Sequence, residues 1–349
     1  MLSASALPLR RRLILCAAGG AGCVLATGAG AGPREPVAAA PAEERDLRAW
    51  LVRIHAAASR QSFEGTFVVS AGGMVSSARI AHYSVGGEQF ESIESLDGQP
   101  RQVLRHNDMV YTFWPGARTV LIEERGRIAS FPALLQGGDG RISGFYEIRA
   151  QGTERIAGRE ADTLSLQPRD HLRFGYRLCA DKATGLLLRV EVLGEHAEVL
   201  ESSAFSDVRL GMRAQPGAVL QPTRRLEGYR VLRPVLRPAR LEAEGWTLRQ
   251  GVPGFEPLSC LRRALPGLPG IDPDPAVEVL QSIHSDGLTH VSLFIEPFEA
   301  ERHRRAMLTA VGATHTLMRR QGDWWVTAVG DVPGATLRQF TAALEYRKS

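Results

Sequence analysis

The hydrophobic positions of the chain change from a helical to a strand-like period near residue 63. Between Asp46 and Ala58 apolar side chains recur at three- and four-residue steps, with Asp46 placed as the N-cap. From Phe63 the period becomes two, so that Phe67 and Val69 share its face while the intervening Glu and Thr point the other way. The pattern predicts one amphipathic helix followed by a sheet.

About ten short strands are predicted in this part of the chain. After the first, which begins at Phe63, they cover 75–84, 88–96, 101–106, 109–114, 118–123, 155–157, 162–166, 173–179, 186–192 and 199–207. Gly, Asn, Asp and Pro occupy most of the intervening turns, as in hairpins. One helix followed by antiparallel hairpins predicts a strongly curved sheet or open barrel wrapped around that helix.

The strand pattern is lost over residues 211–240, where four Pro lie among Arg and Gly. Such a composition predicts a linker, or a loop packed along one domain. Strands resume at 289–295, and a hairpin pairs 313–319 with 324–329. The sequence Asp331-Val332-Pro333 then begins a closing helix.

The predicted fold class is α+β, mostly antiparallel β. A larger N-terminal domain is expected at 45–210, the linker at 211–240, and a smaller α+β domain at 241–349.

Residues 1–31 have the three parts of a secretory signal. Three consecutive Arg end at Arg12, an apolar stretch follows, and Ala29 and Ala31 form an A-x-A site, so cleavage is predicted after Ala31. Cys23 lacks the Leu three positions earlier that lipidation uses, so a lipid anchor is disfavoured. The predicted location is the periplasm.

Charge and cysteine content narrow the function classes. The formal net charge is +4, and removal of the signal takes away three Arg and no acidic residue, so nucleic-acid binding is not indicated. Cys179 and Cys260 are the only cysteines after the signal. An oxidising compartment permits them to pair, but they fall in different predicted domains, and free buried thiols are favoured.

No motif for catalysis is present. The nine His show no metal-binding spacing, and the chain has no G-x-S-x-G, P-loop or dinucleotide-binding sequence. Scattered Asp and Glu could still meet in space. We therefore expect no cofactor, no metal and no enzyme activity.

Two groups of residues are candidates for binding. The apolar strand residues Phe67, Val69, Phe90, Tyr111 and Phe113 could line a cavity for an acyl chain. The alternative is an ordinary core.

The second group is rich in arginine. Arg302, Arg304, Arg305 and Arg319 could contact an acidic partner. The alternative is a solvated charged face.

Several short motifs, in order along the chain, resemble the RseB/MucB family. They are Glu64-Gly65-Thr66-Phe67-Val68, 96–101, 111–115, 155–159, 181–190, Gly245-Trp246, 292–295 and 329–333. Each motif is weak, but together they cover essentially the whole chain after the signal.

The resemblance implies an N-terminal domain akin to the lipoprotein carrier LolA, a half-open β-barrel with helices in its mouth. It implies that both domains hold the periplasmic part of a single-span anti-sigma factor and shield it from regulated proteolysis. Lipid, lipopolysaccharide or lipoprotein signals would release it. The resemblance implies no catalytic residues, and it leaves open whether the protein forms a homo-oligomer.

Three functions remain at this stage. A regulatory binding protein is favoured, a periplasmic lipid or lipoprotein carrier comes second, and an enzyme is third. The second domain argues against the carrier, because a carrier of the LolA type needs only the first.

Overall fold

The computed structural model describes residues 42–124, 142–264, 278–303 and 305–347. The predicted signal and its cleavage site lie outside the described residues, as does Arg304.

A long helix and a large antiparallel sheet form the first part of the molecule. Helix α1 spans Ala42–Arg60. The strands are β1 Phe63–Ala71, β2 Met74–Val85, β3 Glu88–Ser95, β4 Gln102–His106, β5 Met109–Trp114, β6 Thr119–Glu124, β7 Tyr146–Ile156, β8 Arg159–Pro168, β9 Gly175–Asp181, β10 Leu187–Leu193 and β11 Val199–Leu210. A short helix, α2 Ile142–Phe145, precedes β7.

The residues between the two sheets are structured as well. Helix α3 spans Pro216–Thr223 and begins with its Pro at the first helical position. Strand β12, Arg230–Leu232, then pairs in parallel with β6, and β13, Leu236–Pro238, pairs with β15 of the second sheet. The stretch 211–240 is therefore packed along both sheets. The domain boundaries stay a prediction.

A second sheet and a closing helix form the C-terminal part. Its strands are β14 Trp246–Leu248, β15 Glu256–Ala264, β16 Glu278–Ser285, β17 His290–Pro297, β18 Met307–Val311, β19 Thr314–Gln321, β20 Trp324–Gly330 and β21 Leu344–Tyr346, with helix α4 at Gly334–Ala343. Strand β14 pairs with β21 in a separate two-stranded sheet.

Hairpin succession sets the topology of both sheets. The first has the order β12-β6-β5-β4-β3-β2-β1-β11-β10-β9-β8-β7, and the second β13-β15-β16-β17-β20-β19-β18. Tight turns make this possible: Gly72 and Gly73 between β1 and β2 have φ of 57° and 78°, a conformation that costs glycine little. Within the described residues β7 and β12 do not pair with each other, so the first sheet is an open one. The predicted fold class, mostly antiparallel α+β with an open barrel-like sheet, is confirmed.

The hydrophobic core crosses between the two parts. Leu51 and Ile54 of α1 share a cluster with Leu166 and Tyr176 of the first sheet, and with Ala313 from the turn between β18 and β19. The two parts are therefore packed against each other.

Candidate functional site

Helix α1 packs on one side of the first sheet, which we call the inner face. Its Ile54 shares a core cluster with Val190. Val190 is connected through Ser203 to Val69 by direct cross-strand pairing, which places the three residues on one face. Phe67, two residues from Val69 on the same strand, points the same way.

A row of directly paired residues crosses this inner face over six strands. It runs from Phe63 through His82, Glu91, Arg105 and Val110 to Glu123. The four ionisable members are 1, 6, 8 and 4% exposed in that order. We call His82, Glu91, Arg105 and Glu123 the charge row. Since unpaired buried charges are costly, such a row is unusual for a plain core.

The row begins at Phe63, the first residue of β1, and ends in an ion pair with the second sheet. The His82 ring stacks on Phe63 with 5.3 Å between centroids, and its Nδ1 lies 3.5 Å from Glu91 Oε2. At the other end Glu123 Oε1 accepts a hydrogen bond of 2.9 Å from Arg263 Nη2 of β15. This ion pair is buried on both sides, so it ties the inner face of the first sheet to the second sheet.

Three of the five residues predicted for an acyl cavity lie on the opposite, outer face. Phe90 is adjacent to Glu91, and Tyr111 and Phe113 alternate with Val110 and the buried Thr112, so their side chains point away from the charge row. They form a separate apolar cluster with Leu104 and Ile122.

The expectation of a single cavity lined by all five residues is therefore corrected. Phe67 and Val69 belong to an inner cluster with Phe205 and Leu188, and the other three to the outer cluster. The reason is the alternation of side chains along a strand, which sends neighbours to opposite faces.

The outer cluster is covered by residues 214–229, which we call the strap. Val219 of α3 is 1% exposed, and Leu220, Leu226 and Tyr229 pack beside it. The Tyr229 ring meets Phe113 edge-on at 5.5 Å. The strap thus fills the surface over Phe90, Tyr111 and Phe113.

A second buried ion pair joins the two domains. Arg173, with a fully buried side chain, donates from Nε to Asp286 Oδ2 at 2.7 Å and from Nη2 to the Pro253 carbonyl at 2.5 Å. Its Nη1 also pairs with Asp170. Tyr146 donates to the same Asp286 oxygen at 3.4 Å. We call Arg173 and Asp286 the junction pair.

Aromatic rings and a glycine enclose the junction pair. The Arg173 guanidinium lies over Phe145 at 4.3 Å and over Phe255 at 4.9 Å. Gly254 has a φ of 80°, and a Cβ there would meet Arg173 Nη2 at 2.3 Å and Phe145 Cζ at 2.5 Å. Only glycine therefore fits at this position.

Burial also keeps the hydroxyl of Tyr146 protonated. Loss of hydration and the charge of Asp286 hold the pKa of Tyr146 well above its usual range. The hydroxyl therefore stays protonated and serves as a donor to Asp286.

Burial of His284 predicts acid sensitivity. In β16 this side chain is 3% exposed, and burial lowers its pKa to about 4. Because an unfolded His titrates near about 6.5, the stability contributed by neutral His284 is complete above that pH and is lost as pH falls towards 4. We expect urea unfolding at pH 4.5 to show a free energy lower by about 2 kcal/mol than at pH 7 from this group.

The matched variant is His284→Gln, which removes the titrating group. Its unfolding free energy should fall less between the two pH values than that of the wild type. Part of the fall should persist, because burial also lowers the pKa of His290. An unchanged pH dependence in the variant would contradict this assignment.

The predicted arginine group is split by the structure. Arg302 is engaged by Glu296 at 2.6 Å and by Glu299 at 3.3 Å. Arg305 and Arg319 are exposed, next to β18 and at β19. Among the described members of the predicted partner surface, Arg305 and Arg319 are thus the exposed ones.

The two cysteines are free and lie in different sheets. Cys179 is buried in β9, where burial and the adjacent Glu154 raise its pKa to about 12. Burial first, then nearby carboxylates, raise the pKa of Cys260 to about 11. Neither thiol is activated as a nucleophile.

Within the described residues, no group of three or more His, Cys, Asp or Glu is placed to hold a metal ion. No described helix combines the length and apolar character needed to span a membrane.

Sequence reasoning missed the charge row and the junction pair. A signal for the row was present, because Glu91, Arg105 and Glu123 each occupy a strand position facing away from the aromatic residues. That they lie on a common face follows only from the strand register, which pairs them directly across the sheet. Arg173 and Asp286 carry no such signal, since each lies in a connection next to a strand, Arg173 before β9 and Asp286 directly after β16.

Both halves of the chain match sequence models of a known protein family. A sequence model of the MucB/RseB N-terminal domain matches residues 46–223, and one of the MucB/RseB C-terminal domain matches 240–345. The sigma factor AlgU regulatory protein MucB of Pseudomonas aeruginosa is 28% identical over 311 residues, which cover 86% of this chain and 90% of that protein. The sigma-E factor regulatory protein RseB of Escherichia coli K12 is 23% identical over 304 residues, 85% and 90% of the two chains.

Solved structures of MucB also match this chain. The MucA/MucB complex of Pseudomonas aeruginosa contains a chain with a TM-score of 0.65 and 25% identity, covering 87% of this chain and 100% of that one. MucB in complex with MucA(peri) matches with a TM-score of 0.62, also at 25% identity.

The fold and the buried junction define a two-domain protein in which an open antiparallel sheet, wrapped on a helix, is fixed to a smaller α+β domain. The chain belongs to the MucB/RseB family. Its relatives are regulatory proteins of sigma factors.

Proposed function

We propose that this protein binds the periplasmic part of a single-span anti-sigma factor, shields it from regulated proteolysis and releases it on a lipid signal. The observation that carries the proposal is the match of both domains to the family, together with the relative solved in complex with MucA(peri). The protein acts by binding rather than by catalysis, in the periplasm.

The test uses the full mature chain and the periplasmic domain of an anti-sigma factor encoded beside a sigma factor in the same genome. Calorimetry should show binding, and the site-1 protease should cut the complexed partner more slowly than the free one. Absence of binding, or equal cleavage rates, would sink the proposal.

Charge reversal tests the proposed arginine contact. Arg305 and Arg319 are exposed, so Arg305→Glu with Arg319→Glu should leave folding intact. We expect weaker partner binding and a smaller salt dependence, because each reversed charge removes attraction to an acidic partner. Arg79→Glu, at an exposed position of β2, is the control; equal weakening by the control would remove the case for a specific surface.

Lipid release is proposed at the inner cluster. An acyl chain binding there shifts partner affinity only by its differential affinity for the free and bound regulator. A tenfold release requires about 1.4 kcal/mol, which is small beside about 0.8 kcal/mol for each buried CH₂.

The two faces make this lipid proposal testable. Val69 on the inner face and Tyr111 on the outer face are both half-buried, so Val69→Asn and Tyr111→Asn form a matched pair. We expect Val69→Asn to reduce the effect of an acylated ligand on partner affinity, and Tyr111→Asn to leave it, because the strap covers Tyr111. Lipid binding that never changes partner affinity would favour the alternative function, a periplasmic lipid or lipoprotein carrier.

A further inference from the structure

Residues 211–240 carry a concentrated positive charge. The segment contains seven Arg and one Glu, which is a formal charge of +6. Of the 42 basic and 38 acidic residues of the chain, three Arg lie in the predicted signal, so the remainder has 32 basic and 37 acidic residues and a formal charge of −5. The positive charge is therefore gathered in 30 residues of a molecule that is otherwise acidic.

The seven arginines of this segment are all exposed. They are Arg213, Arg224, Arg225, Arg230, Arg233, Arg237 and Arg240. Among the described residues, Arg237 is the one that has a carboxylate within ion-pair distance, Glu278 at 3.3 Å. The other six guanidinium groups are therefore not used to stabilise the fold through ion pairs, and their charge faces the solvent.

One further arginine joins this group through the backbone. Arg118 is exposed in the turn between β5 and β6, and its carbonyl accepts a hydrogen bond of 2.7 Å from the Arg230 amide. We define the basic surface as six exposed arginines on and beside the strap: Arg118, Arg213, Arg224, Arg225, Arg230 and Arg233.

Packing holds the basic surface in a fixed place on the first sheet. The strap is attached to the outer face through the buried Val219 and through Tyr229, and β12 continues the same sheet as its edge strand. The second sheet contacts the inner face, where Arg263 donates to Glu123 at 2.9 Å. Most of the basic surface therefore lies on the side of the first sheet that is turned away from the second domain.

The shape of this side suits a flat partner. The first sheet wraps around α1 on its inner face, so its outer face is the convex one. Two exposed valines, Val231 at 40% and Val235 at 63%, lie between the arginines. A protein interface of standard size buries a large apolar core, and two valines do not supply one.

An anionic bilayer supplies what this surface lacks. Its phosphate groups move laterally and can match arginines that are spread over a convex face, and a guanidinium binds a phosphate through two parallel hydrogen bonds. Basic residues next to a few exposed apolar ones are typical of proteins that bind at the membrane interface.

We propose that the basic surface docks this protein on the surface of an anionic phospholipid bilayer. The arginines contact the headgroup phosphates, no lipid leaves the bilayer, and the second domain is directed away from the membrane. This inference goes beyond the proposed function and does not depend on binding of an anti-sigma factor.

The test measures co-sedimentation of the full mature chain with vesicles. We expect binding to phosphatidylcholine vesicles that contain about 30% phosphatidylglycerol, and none to vesicles of phosphatidylcholine alone. Binding to the anionic vesicles should be lost at about 1 M salt, where the Debye length falls to about 3 Å.

Two variants with the same change of net charge show where the protein docks. Arg224→Gln with Arg225→Gln should lower the partition coefficient on anionic vesicles roughly 30-fold, the equivalent of about 1 kcal/mol for each arginine. Arg305→Gln with Arg319→Gln, in the second domain, is the matched control and should stay within about twofold of the wild type. Both variants should keep the melting temperature of the wild type, because all four side chains are exposed.

Four outcomes would overturn the inference. They are no binding of the wild type to anionic vesicles, equal binding to both kinds of vesicle, equal weakening by the two variants, and binding to soluble polyglutamate with the same dependence on Arg224 and Arg225. The third outcome would assign the effect to net charge alone, and the fourth would assign the surface to an acidic protein.

A separate measurement distinguishes this inference from the proposed function. Calorimetry without vesicles should give Arg224→Gln with Arg225→Gln the same affinity for the periplasmic domain of the anti-sigma factor as the wild type. Failure of the wild type to bind that domain would sink the proposed function and leave the vesicle result standing. Loss of partner binding in this variant would overturn the inference, because the arginines would then belong to the partner site.

Discussion

Replacement of Asp286 by alanine is expected to lower the free energy of unfolding by about 3–5 kcal/mol. The substitution leaves the fully buried Arg173 guanidinium without the carboxylate 2.7 Å away. It also removes the acceptor of Tyr146 and of the Leu288 and Thr289 amides. Urea unfolding of the mature chain measures the loss directly.

Two variants separate the parts of this effect. Asp286→Asn keeps an oxygen for the Leu288 and Thr289 amides but removes the charge. Its free energy of unfolding should therefore fall by most of the amount lost in Asp286→Ala. Asp170→Ala removes the other carboxylate on Arg173, which is partly exposed, and should cost no more than about 1 kcal/mol. A loss below about 1 kcal/mol in Asp286→Ala would mean that Arg173 finds other partners and that the junction pair does not hold the domains.

The junction has a consequence for function. The Arg173–Asp286 and Glu123–Arg263 pairs, together with an apolar cluster that has members from both domains, fix the second domain against the first. A partner segment that contacts both domains then meets a preformed surface and loses less ordering free energy on binding. Asp286→Asn should therefore weaken partner binding even though Asp286 is too deeply buried to touch the partner.

Much of the fold could be predicted because hairpins are local. Strands β2 to β6 begin and end within a residue or two of their predicted bounds, since Gly, Asn and Asp turns mark each end. Strands β15 and β16 were missed, because Pro257 and the Pro/Gly-rich stretch after Ala264 conceal them. Helix α3 was missed for a similar reason: Pro216 and Pro222 indicated a linker, although the first suits a helix start.

The site could be predicted only in part. Strands β5 and β6 are covered on both faces, by the second domain and by the strap, so their apolar residues do not alternate cleanly. Without the alternation, Phe113 could not be assigned to a face different from that of Phe67. The junction pair joins residues more than a hundred positions apart, and its formation depends on how the two domains dock.

Replacement of Val219 by aspartate is expected to detach the strap. Val219 is 1% exposed over the outer cluster, and an aspartate there would be an unpaired buried charge, so the segment opens instead. The opened segment no longer gains the free energy of burying the Val side chain, about 2 kcal/mol. The rate of cleavage in such a segment is proportional to the population of its open form. In the wild type, trypsin is expected to cut first within 211–240, and in Val219→Asp the rates at the exposed Arg224 and Arg225 should rise roughly 30-fold.

The control for this measurement uses Val231 of β12, the strand that follows the strap. Val231 is 40% exposed, so Val231→Asp adds the same charge without removing a buried contact and should leave the cleavage rates within about twofold. Equal rates in Val219→Asp and the wild type would mean that α3 is held by its neighbours and not by Val219. First cleavage within 63–124 in the wild type would contradict the linker prediction, because the chain would then open in the first sheet before it opens between the domains.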